Sequence, residues 1–189
     1  MCPILTFFSA DGLVGKTFLL YHIAWMFADC GMRVVCVDSD PQAYLTAVFL
    51  NEDRIVAIWN ANEEGNTLSR CLDNVLTGGD ITRPRLFQLG EGFFLIPGDI
   101  GLSRFGDPLA QSWLSTSCVS NYQSLYLQSA LWQVLRKAEE ESQADIILVD
   151  IGPNLDAISR SALIASDAVL TILGDVSHHS TACAILGQP

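Results

Sequence analysis

Three short segments of the sequence carry residue types that could bind and process a phosphate group. The first covers residues 10–17, follows an apolar run and ends in Gly15-Lys16-Thr17. It fits the phosphate-loop pattern GxxxxGK followed by Ser or Thr, except that Ala10 stands at the first glycine. In such a loop, backbone N–H groups cradle phosphate, the lysine adds positive charge and the threonine hydroxyl reaches Mg²⁺. We therefore predict that residues 9–17 bind the phosphates of a nucleotide.

The second segment is Asp38-Ser39-Asp40-Pro41-Gln42, which follows another apolar run. Two carboxylates this close at a strand end can both approach the phosphate loop. One can hold the water shell of a metal ion, and the other can orient an attacking water molecule. An ordinary turn is the alternative for Asp40, because aspartate before proline is a common start of a helix.

The third segment is an apolar run over residues 146–149 that ends at Asp150. This is the Walker B arrangement, in which the carboxylate reaches Mg²⁺ through water. Many strands end in aspartate, so the segment indicates a magnesium site only in combination with the phosphate loop. Gly152-Pro153-Asn154 then forms a stiff turn, which could lie beside the phosphates or be plain loop chemistry.

These segments need a scaffold that brings strand ends together, and the apolar patterns of the chain predict one. Short unbroken apolar runs predict buried strands at residues 4–8, 34–37, 93–96, 146–149 and 168–173. Helical spacing predicts helices at residues 16–28, 43–50, 67–76, 124–141 and 157–165, whereas residues 98–120 receive no element. The alternation predicts an α/β fold with a doubly wound, mostly parallel sheet and helices on both faces. In such sheets ligands bind at the carboxyl ends of strands, where all three segments lie.

Composition narrows the class of protein further. The length of 189 residues indicates a single domain, and the hydrophobic fraction of 50% indicates a globular chain. A formal net charge of −11 does not favour strong DNA binding by this chain alone. No apolar run reaches the roughly 20 residues of a membrane span, and the N-terminus lacks a basic leader. We expect a cytoplasmic protein that does not bind membranes and whose six cysteines are reduced.

Taken together, the three segments resemble the ParA/MinD family of deviant Walker-A ATPases. Their order agrees over almost the whole chain, and Tyr21-His22-Ile23-Ala24 and Leu95-Ile96-Pro97-Gly98-Asp99 are similar to a ParA-type subgroup. The resemblance implies an ATP–Mg²⁺ site, a homodimer that closes over two nucleotides, and an adaptor or activating protein as partner. It also implies a role in positioning or segregating DNA or other cargo.

The resemblance assigns roles to individual residues. The residues expected to bind the nucleotide are Asp11, Gly12, Leu13, Val14, Gly15, Lys16, Thr17 and Phe18. Those expected at the metal are Thr17, Asp38, Asp40 and Asp150. Lys16 and Asp40 are expected to act in catalysis, Asp40 by polarising water, and Asp38 to support the loop as well.

The sequence departs from the family pattern in the phosphate loop. The family reads Lys-Gly-Gly-Val-Gly-Lys-Thr, whereas this chain has Asp11 at the first position and Leu13 at the third. At about 5 Å and an effective dielectric constant of about 20, each charge interacts with phosphate by roughly 3 kcal/mol. Exchanging attraction for repulsion therefore weakens the site, and Leu13 adds about 1–2 kcal/mol if its φ angle is positive. We expect one P-loop domain over residues 1–189 that lacks the C-terminal part of the family fold.

Three functions remain open from the sequence. Lys16, Thr17, Asp40 and Asp150 favour an ATP–Mg²⁺-dependent dimerising switch with slow hydrolysis. The substitutions at Ala10, Asp11 and Leu13 favour a non-hydrolysing module that senses nucleotide or binds protein. A small-molecule kinase would need an arginine-rich lid, and the middle of the chain has only scattered arginines, such as those at positions 83, 85 and 104.

Overall fold

A single mixed sheet forms the centre of the molecule. The computed structural model describes residues 1–11, 14–61, 65–115 and 122–173, apart from the side chain of Ser115. Its strands are β1 (Ile4–Phe8), β2 (Val34–Ser39), β3 (Phe87–Gly90), β4 (Phe93–Ile96), β5 (Ile146–Ile151) and β6 (Ala168–Thr171). They are arranged in the order β3-β4-β2-β5-β1-β6, and all neighbours are parallel except the antiparallel pair β3–β4. The predicted α/β, mostly parallel fold is confirmed.

Helices cover both faces of this sheet. They are α1 (Lys16–Asp29), α2 (Tyr44–Phe49), α3 (Glu52–Asn60), α4 (Leu68–Leu76), α5 (Ser103–Ser115), α6 (Tyr122–Ser142) and α7 (Ala157–Ile164), with a 3₁₀ turn at Ile100–Leu102. No helix in the described residues has both the length and the apolar composition that a membrane crossing requires.

Alternate side chains of each central strand enter two separate cores. In β2, Val35 and Val37 pack with residues of α4, α5, α6 and α7, whereas Val34 and Cys36 pack with residues of α1, α2 and α3. Every residue of β2 and β5 is buried, because helices cover the sheet on both sides. This burial explains why these strands read as unbroken apolar runs and not as an alternating pattern.

Two helices and one strand of the structure were not predicted. Helix α3 has a local start signal, since the Asn51 side chain accepts a hydrogen bond from the Arg54 N–H at 3.0 Å. Helix α5 contains Gly106 and Pro108, which hide its periodicity. Strand β3 is a four-residue edge strand that turns into β4 through Gly92, with φ of 65°. The strand predicted as the fifth is therefore the sixth.

The central strands also extend beyond their apolar runs. We predicted that β2 and β5 end before Asp38 and Asp150, but β2 continues to Ser39 and β5 to Ile151. The backbone ladder does not depend on side-chain polarity, so it includes these carboxylates once they have buried hydrogen-bond partners. As a result, Asp38 and Asp150 are held by the sheet itself and not by the following loops.

Candidate phosphate-binding site

The first two residues of α1 both bind the carboxylate of Asp150. Lys16 Nζ donates hydrogen bonds to Asp150 Oδ1 and to the carbonyl oxygen of Ile151. Thr17 Oγ1 donates to Asp150 Oδ2 at 2.7 Å. Lys16 is 8% exposed and Asp150 is fully buried, so the ion pair is shielded from water. The structure thus brings together three predicted site residues that come from distant parts of the chain.

Gly15 gives the loop the backbone shape that directs it into α1. Its φ angle is 80°, a left-handed conformation that costs other residues about 1–2 kcal/mol. It stands at the helix N-cap, where glycine has no side chain that could cap α1. The N–H groups of the first turn and the positive end of the helix dipole are therefore suited to an anion.

The remaining predicted residues of the loop are only partly described. Gly12 and Leu13 lie outside the described residues. Asp11 is exposed, and its carbonyl oxygen accepts a hydrogen bond from Ser9 Oγ at 2.9 Å. Phe18, in the first turn of α1, is 61% exposed. The nucleotide contacts assigned to these residues, and to Val14, stay predictions.

Asp38 is a buried carboxylate whose two oxygens both accept hydrogen bonds from the protein. Oδ1 accepts from the Asp40 N–H at 3.2 Å, and Oδ2 accepts from the N–H and the hydroxyl of Thr46, each at 2.7 Å. Burial, with a further contribution from the negative charge of Asp150, raises the pKa of Asp38 to about 7. Asp38 therefore holds the backbone N–H of Asp40, and the supporting role assigned to it in the loop stays a prediction.

Asp40 lies at the other side of the site, next to the turn that follows β5. Its side chain is 5% exposed, and its Oδ1 accepts a hydrogen bond from the Gln42 N–H at 2.9 Å. A Cβ atom placed on Gly152 would be 3.6 Å from the same oxygen. Asp40 is also close enough to Asp150 to contribute to raising the pKa of that carboxyl, although burial is the main cause. The ends of β1, β2 and β5 therefore meet as predicted.

The oxygen atoms at this edge fit magnesium, provided that phosphate supplies further ligands. Mg²⁺ is usually held by one or two carboxylates together with substrate phosphates and water. Thr17 and Asp150 place a hydroxyl and a carboxylate side by side. Within the described ranges, no group of three or more His, Cys, Asp and Glu side chains could hold a metal ion. The donor set fits a phosphate-bound Mg²⁺, and the metal contacts assigned to Asp38 and Asp40 stay predictions.

The sequence did not point to Thr46 as a residue of the site, although Thr46 contacts Asp38 of β2 and Gly98 after β4. It is fully buried in α2, and its hydroxyl also accepts a hydrogen bond from the Gly98 N–H at 2.9 Å. The sequence contained one signal. In the segment YLTAVF, Thr46 is a polar residue with apolar residues on both sides, and Tyr44 carries the other hydroxyl of the segment. That pattern shows a polar residue in a buried helix, but it does not show its partners.

The amino-acid sequence of the chain matches a family model and a known protein. The model of a family described as AAA domain matches residues 3–182. A probable plasmid-partitioning protein ParA from Thermus thermophilus is 34% identical to the chain over 168 residues. The match covers 88% of this chain but 43% of the relative, so the chain spans less than half of that protein's length.

Solved structures share the fold. Protein DIP2308 from Corynebacterium diphtheriae superposes with a TM-score of 0.80 at 26% identity, over 89% of this chain and 58% of its own. Cobyrinic acid a,c-diamide synthase from Mycobacterium smegmatis, crystallised with ADP and magnesium, has a TM-score of 0.67 at 23% identity. That match covers 98% of this chain and 66% of the synthase, and at this identity it shows a similar fold alone.

Proposed function

This chain belongs to the ParA/MinD family of P-loop ATPases, and from this premise we propose that it is an ATP- and Mg²⁺-dependent switch. In this proposal it dimerises, hydrolyses ATP slowly and thereby positions or segregates DNA or another cargo. The observation that carries the proposal is the convergence of Lys16 and Thr17 on Asp150, directly after the left-handed Gly15. A buried ammonium group, a helix N-terminus and a hydroxyl–carboxylate pair are the groups that a nucleotide phosphate with Mg²⁺ requires.

Each of these groups has a distinct task in the proposed function. Lys16 balances the negative charge of the phosphates, and its burial strengthens that interaction. Thr17 and Asp150 hold the metal, because their oxygens already lie within hydrogen-bond distance of each other. Bound Mg²⁺ would neutralise charge that develops on phosphate oxygens during transfer.

Hydrolysis in this site would depend on Asp40. Its carboxylate is nearly buried beside Gly152, where it can orient a water molecule and exclude bulk solvent. Positioning without a strongly activated base fits slow turnover. Asp38 contributes by holding the Asp40 N–H and not by contacting the phosphate.

Exposed apolar side chains beside the site support a protein partner there. Phe18 of α1 is 61% exposed and Tyr44 of α2 is 58% exposed, and both follow loops of the site. Such side chains are common at protein interfaces. A second copy of the chain and an adaptor or activating protein are the partners in the proposal. Because the net charge is −11, any contact with DNA is assigned to a partner in this proposal.

Calorimetric titration with a non-hydrolysable ATP analogue and Mg²⁺ tests the proposal. The chain contains two lysines, Lys16 and Lys137, so Lys137→Met is a matched control for Lys16→Met. Wild type and Lys137→Met should bind, and Lys16→Met should lose at least about tenfold in affinity, because a charged hydrogen bond to phosphate is lost. Equal affinity of Lys16→Met and wild type would overturn the proposal.

A second candidate function follows from Asp11. Its exposed carboxylate stands where the family carries a signature lysine, which favours a module that binds nucleotide without hydrolysing it. Phosphate release measured for wild type, Asp11→Lys and Asp40→Asn separates the two candidates. Turnover in wild type that Asp40→Asn abolishes supports the switch. Binding without turnover in wild type, with turnover gained in Asp11→Lys, supports the non-hydrolysing module.

A further inference from the structure

Thr46 joins three parts of the fold at the edge of the candidate site. Its backbone N–H and its hydroxyl both donate to Asp38 Oδ2 at 2.7 Å, which ties α2 to β2. The same hydroxyl accepts from the Gly98 N–H at 2.9 Å, which ties α2 to the residues after β4. Since Thr46 is fully buried, water cannot replace these bonds.

The network continues from Thr46 to Asp40. One carboxylate oxygen of Asp38 accepts a hydrogen bond from the Thr46 hydroxyl and the other accepts one from the Asp40 N–H, so the carboxylate links the two residues. Gly98 packs tightly on this carboxylate, because a Cβ atom placed there would lie 2.9 Å from Asp38 Cγ. Its carbonyl oxygen accepts from Trp59 Nε1 at 3.2 Å, which fixes the outer end of the network.

We propose that Thr46 is a positioning residue for the ATP hydrolysis proposed above, on which this inference rests. Its hydroxyl connects the Asp38 carboxylate to the N–H of Gly98, which follows β4. The carboxylate in turn accepts a hydrogen bond from the Asp40 N–H and so fixes the backbone there. The phosphate-binding side chains are fixed separately, since Lys16 and Thr17 bind Asp150. Thr46 therefore acts on the hydrolytic step and not on nucleotide affinity.

Replacement of Thr46 by valine keeps the branched shape of the side chain and puts a methyl group in place of the hydroxyl. Asp38 then loses one donor and the buried Gly98 N–H loses its acceptor, so the turn that carries Asp40 shifts. A shift of about 1 Å in a group that orients a reactant can reduce a rate by about a hundredfold. Thr46→Ser keeps the hydroxyl and should retain the wild-type rate.

The test compares kcat, KM for ATP and the Kd for a non-hydrolysable ATP analogue with Mg²⁺ in four proteins. They are wild type, Thr46→Val, Thr46→Ser and Thr6→Val. Thr6 is a matched control, because it is also fully buried but its hydroxyl bonds to Ser166. We expect kcat of Thr46→Val to fall by about ten- to a hundredfold while its Kd changes by less than about threefold. Thr46→Ser and Thr6→Val should keep kcat within about threefold of wild type.

Amide hydrogen exchange gives a readout that does not depend on turnover. The Gly98 N–H should exchange faster in Thr46→Val than in wild type or Thr46→Ser, because its buried acceptor is gone. If valine prevents folding, Thr46→Ala removes the same hydroxyl with a better helix former, and the same kcat loss is expected.

Three results would overturn the inference. The first is an unchanged kcat in Thr46→Val, and the second is an equal kcat loss in folded Thr6→Val, which would show a general effect of buried threonines. Both leave the proposed function intact, because wild type still turns over. The third is absence of turnover in wild type, which removes the proposed hydrolysis and this inference together.

Discussion

Asp38 and Asp150 lie directly opposite each other on the adjacent parallel strands β2 and β5, and both are fully buried. Two like charges at this spacing repel, so each carboxylate needs its own compensation. Asp150 is paired with the ammonium group of Lys16, whereas Asp38 accepts hydrogen bonds from uncharged groups only in the contacts described above. This difference explains why burial and the charge of Asp150 raise the pKa of Asp38 to about 7.

The raised pKa of Asp38 predicts a specific pH dependence of stability. A carboxyl with a higher pKa in the folded state binds more protons there between its unfolded value, about 4, and about 7. Its contribution to the free energy of unfolding is therefore fully present below about pH 4 and is lost as pH rises through about 7. Asp38→Asn should remove up to about 4 kcal/mol of this decline, at about 1.4 kcal/mol per pKa unit.

Urea unfolding of wild type and Asp38→Asn at a series of pH values measures this effect. Asp29→Asn is the control for the removal of a carboxylate, because Asp29 is exposed at the end of α1. Parallel profiles of wild type and Asp38→Asn would contradict the assignment of this titration to Asp38.

Removal of Lys16 should destabilise the fold as well as the site. Lys16→Met leaves the fully buried Asp150 carboxylate without its charged partner, and breaking such a pair costs about 3–5 kcal/mol. Lys16→Met/Asp150→Asn removes both charges and should recover most of this loss. Urea unfolding compares the two, and a double variant no more stable than the single one would show that the buried charge is not the cause.

Replacement of Ser39 by alanine should increase the stability of the fold. Its hydroxyl is buried and has no hydrogen-bond partner among the described residues, and apolar side chains such as Leu72, Phe105 and Ile158 line the space around it. An unsatisfied buried hydroxyl costs about 1–3 kcal/mol, so Ser39→Ala should raise the free energy of unfolding by about 1 kcal/mol. Thermal unfolding measures the change, and lower stability would indicate that the hydroxyl has a partner.

The control for this prediction is another buried serine with a satisfied hydroxyl. Ser69 Oγ lies 2.8 Å from each carboxylate oxygen of Asp99 and is 4% exposed. Ser69→Ala should therefore lower stability by about 1–2 kcal/mol, the opposite sign from Ser39→Ala.

Two glycines should respond in opposite directions to a single added methyl group. A Cβ atom on Gly98 would lie 2.9 Å from Asp38 Cγ and 3.0 Å from the Asp38 carbonyl oxygen, so Gly98→Ala forces the ends of β2 and β4 apart. We expect a loss of about 1–3 kcal/mol. On Gly106, inside α5, the nearest atom to a Cβ is 3.9 Å away, so Gly106→Ala should stabilise by about 0.5–1 kcal/mol. Equal effects in chemical denaturation would contradict the packing argument.

Much of the fold could be predicted because its signals are local. The apolar runs that became β1, β2, β4 and β5 and the helical spacing of α1 and α6 are each contained in a short window. The missed elements lack such a window. Strand β3 forms only by pairing with β4, and α5 carries the helix-disfavouring Gly106 and Pro108 inside it.

The sequence by itself determined which residues are candidates to bind phosphate and metal, and that each segment follows an apolar strand. Gly15-Lys16-Thr17 before a helix and Asp150 at the end of an apolar run are local patterns, and parallel strands bring their ends to one edge. Only the tertiary structure decided that Asp150 accepts hydrogen bonds from both Lys16 and Thr17, while Asp38 accepts one from the Thr46 hydroxyl. These choices depend on the register of β2 against β5 and on how α2 packs against the residues after β4. Such contacts join residues far apart in the chain, and no local pattern of residue types encodes them.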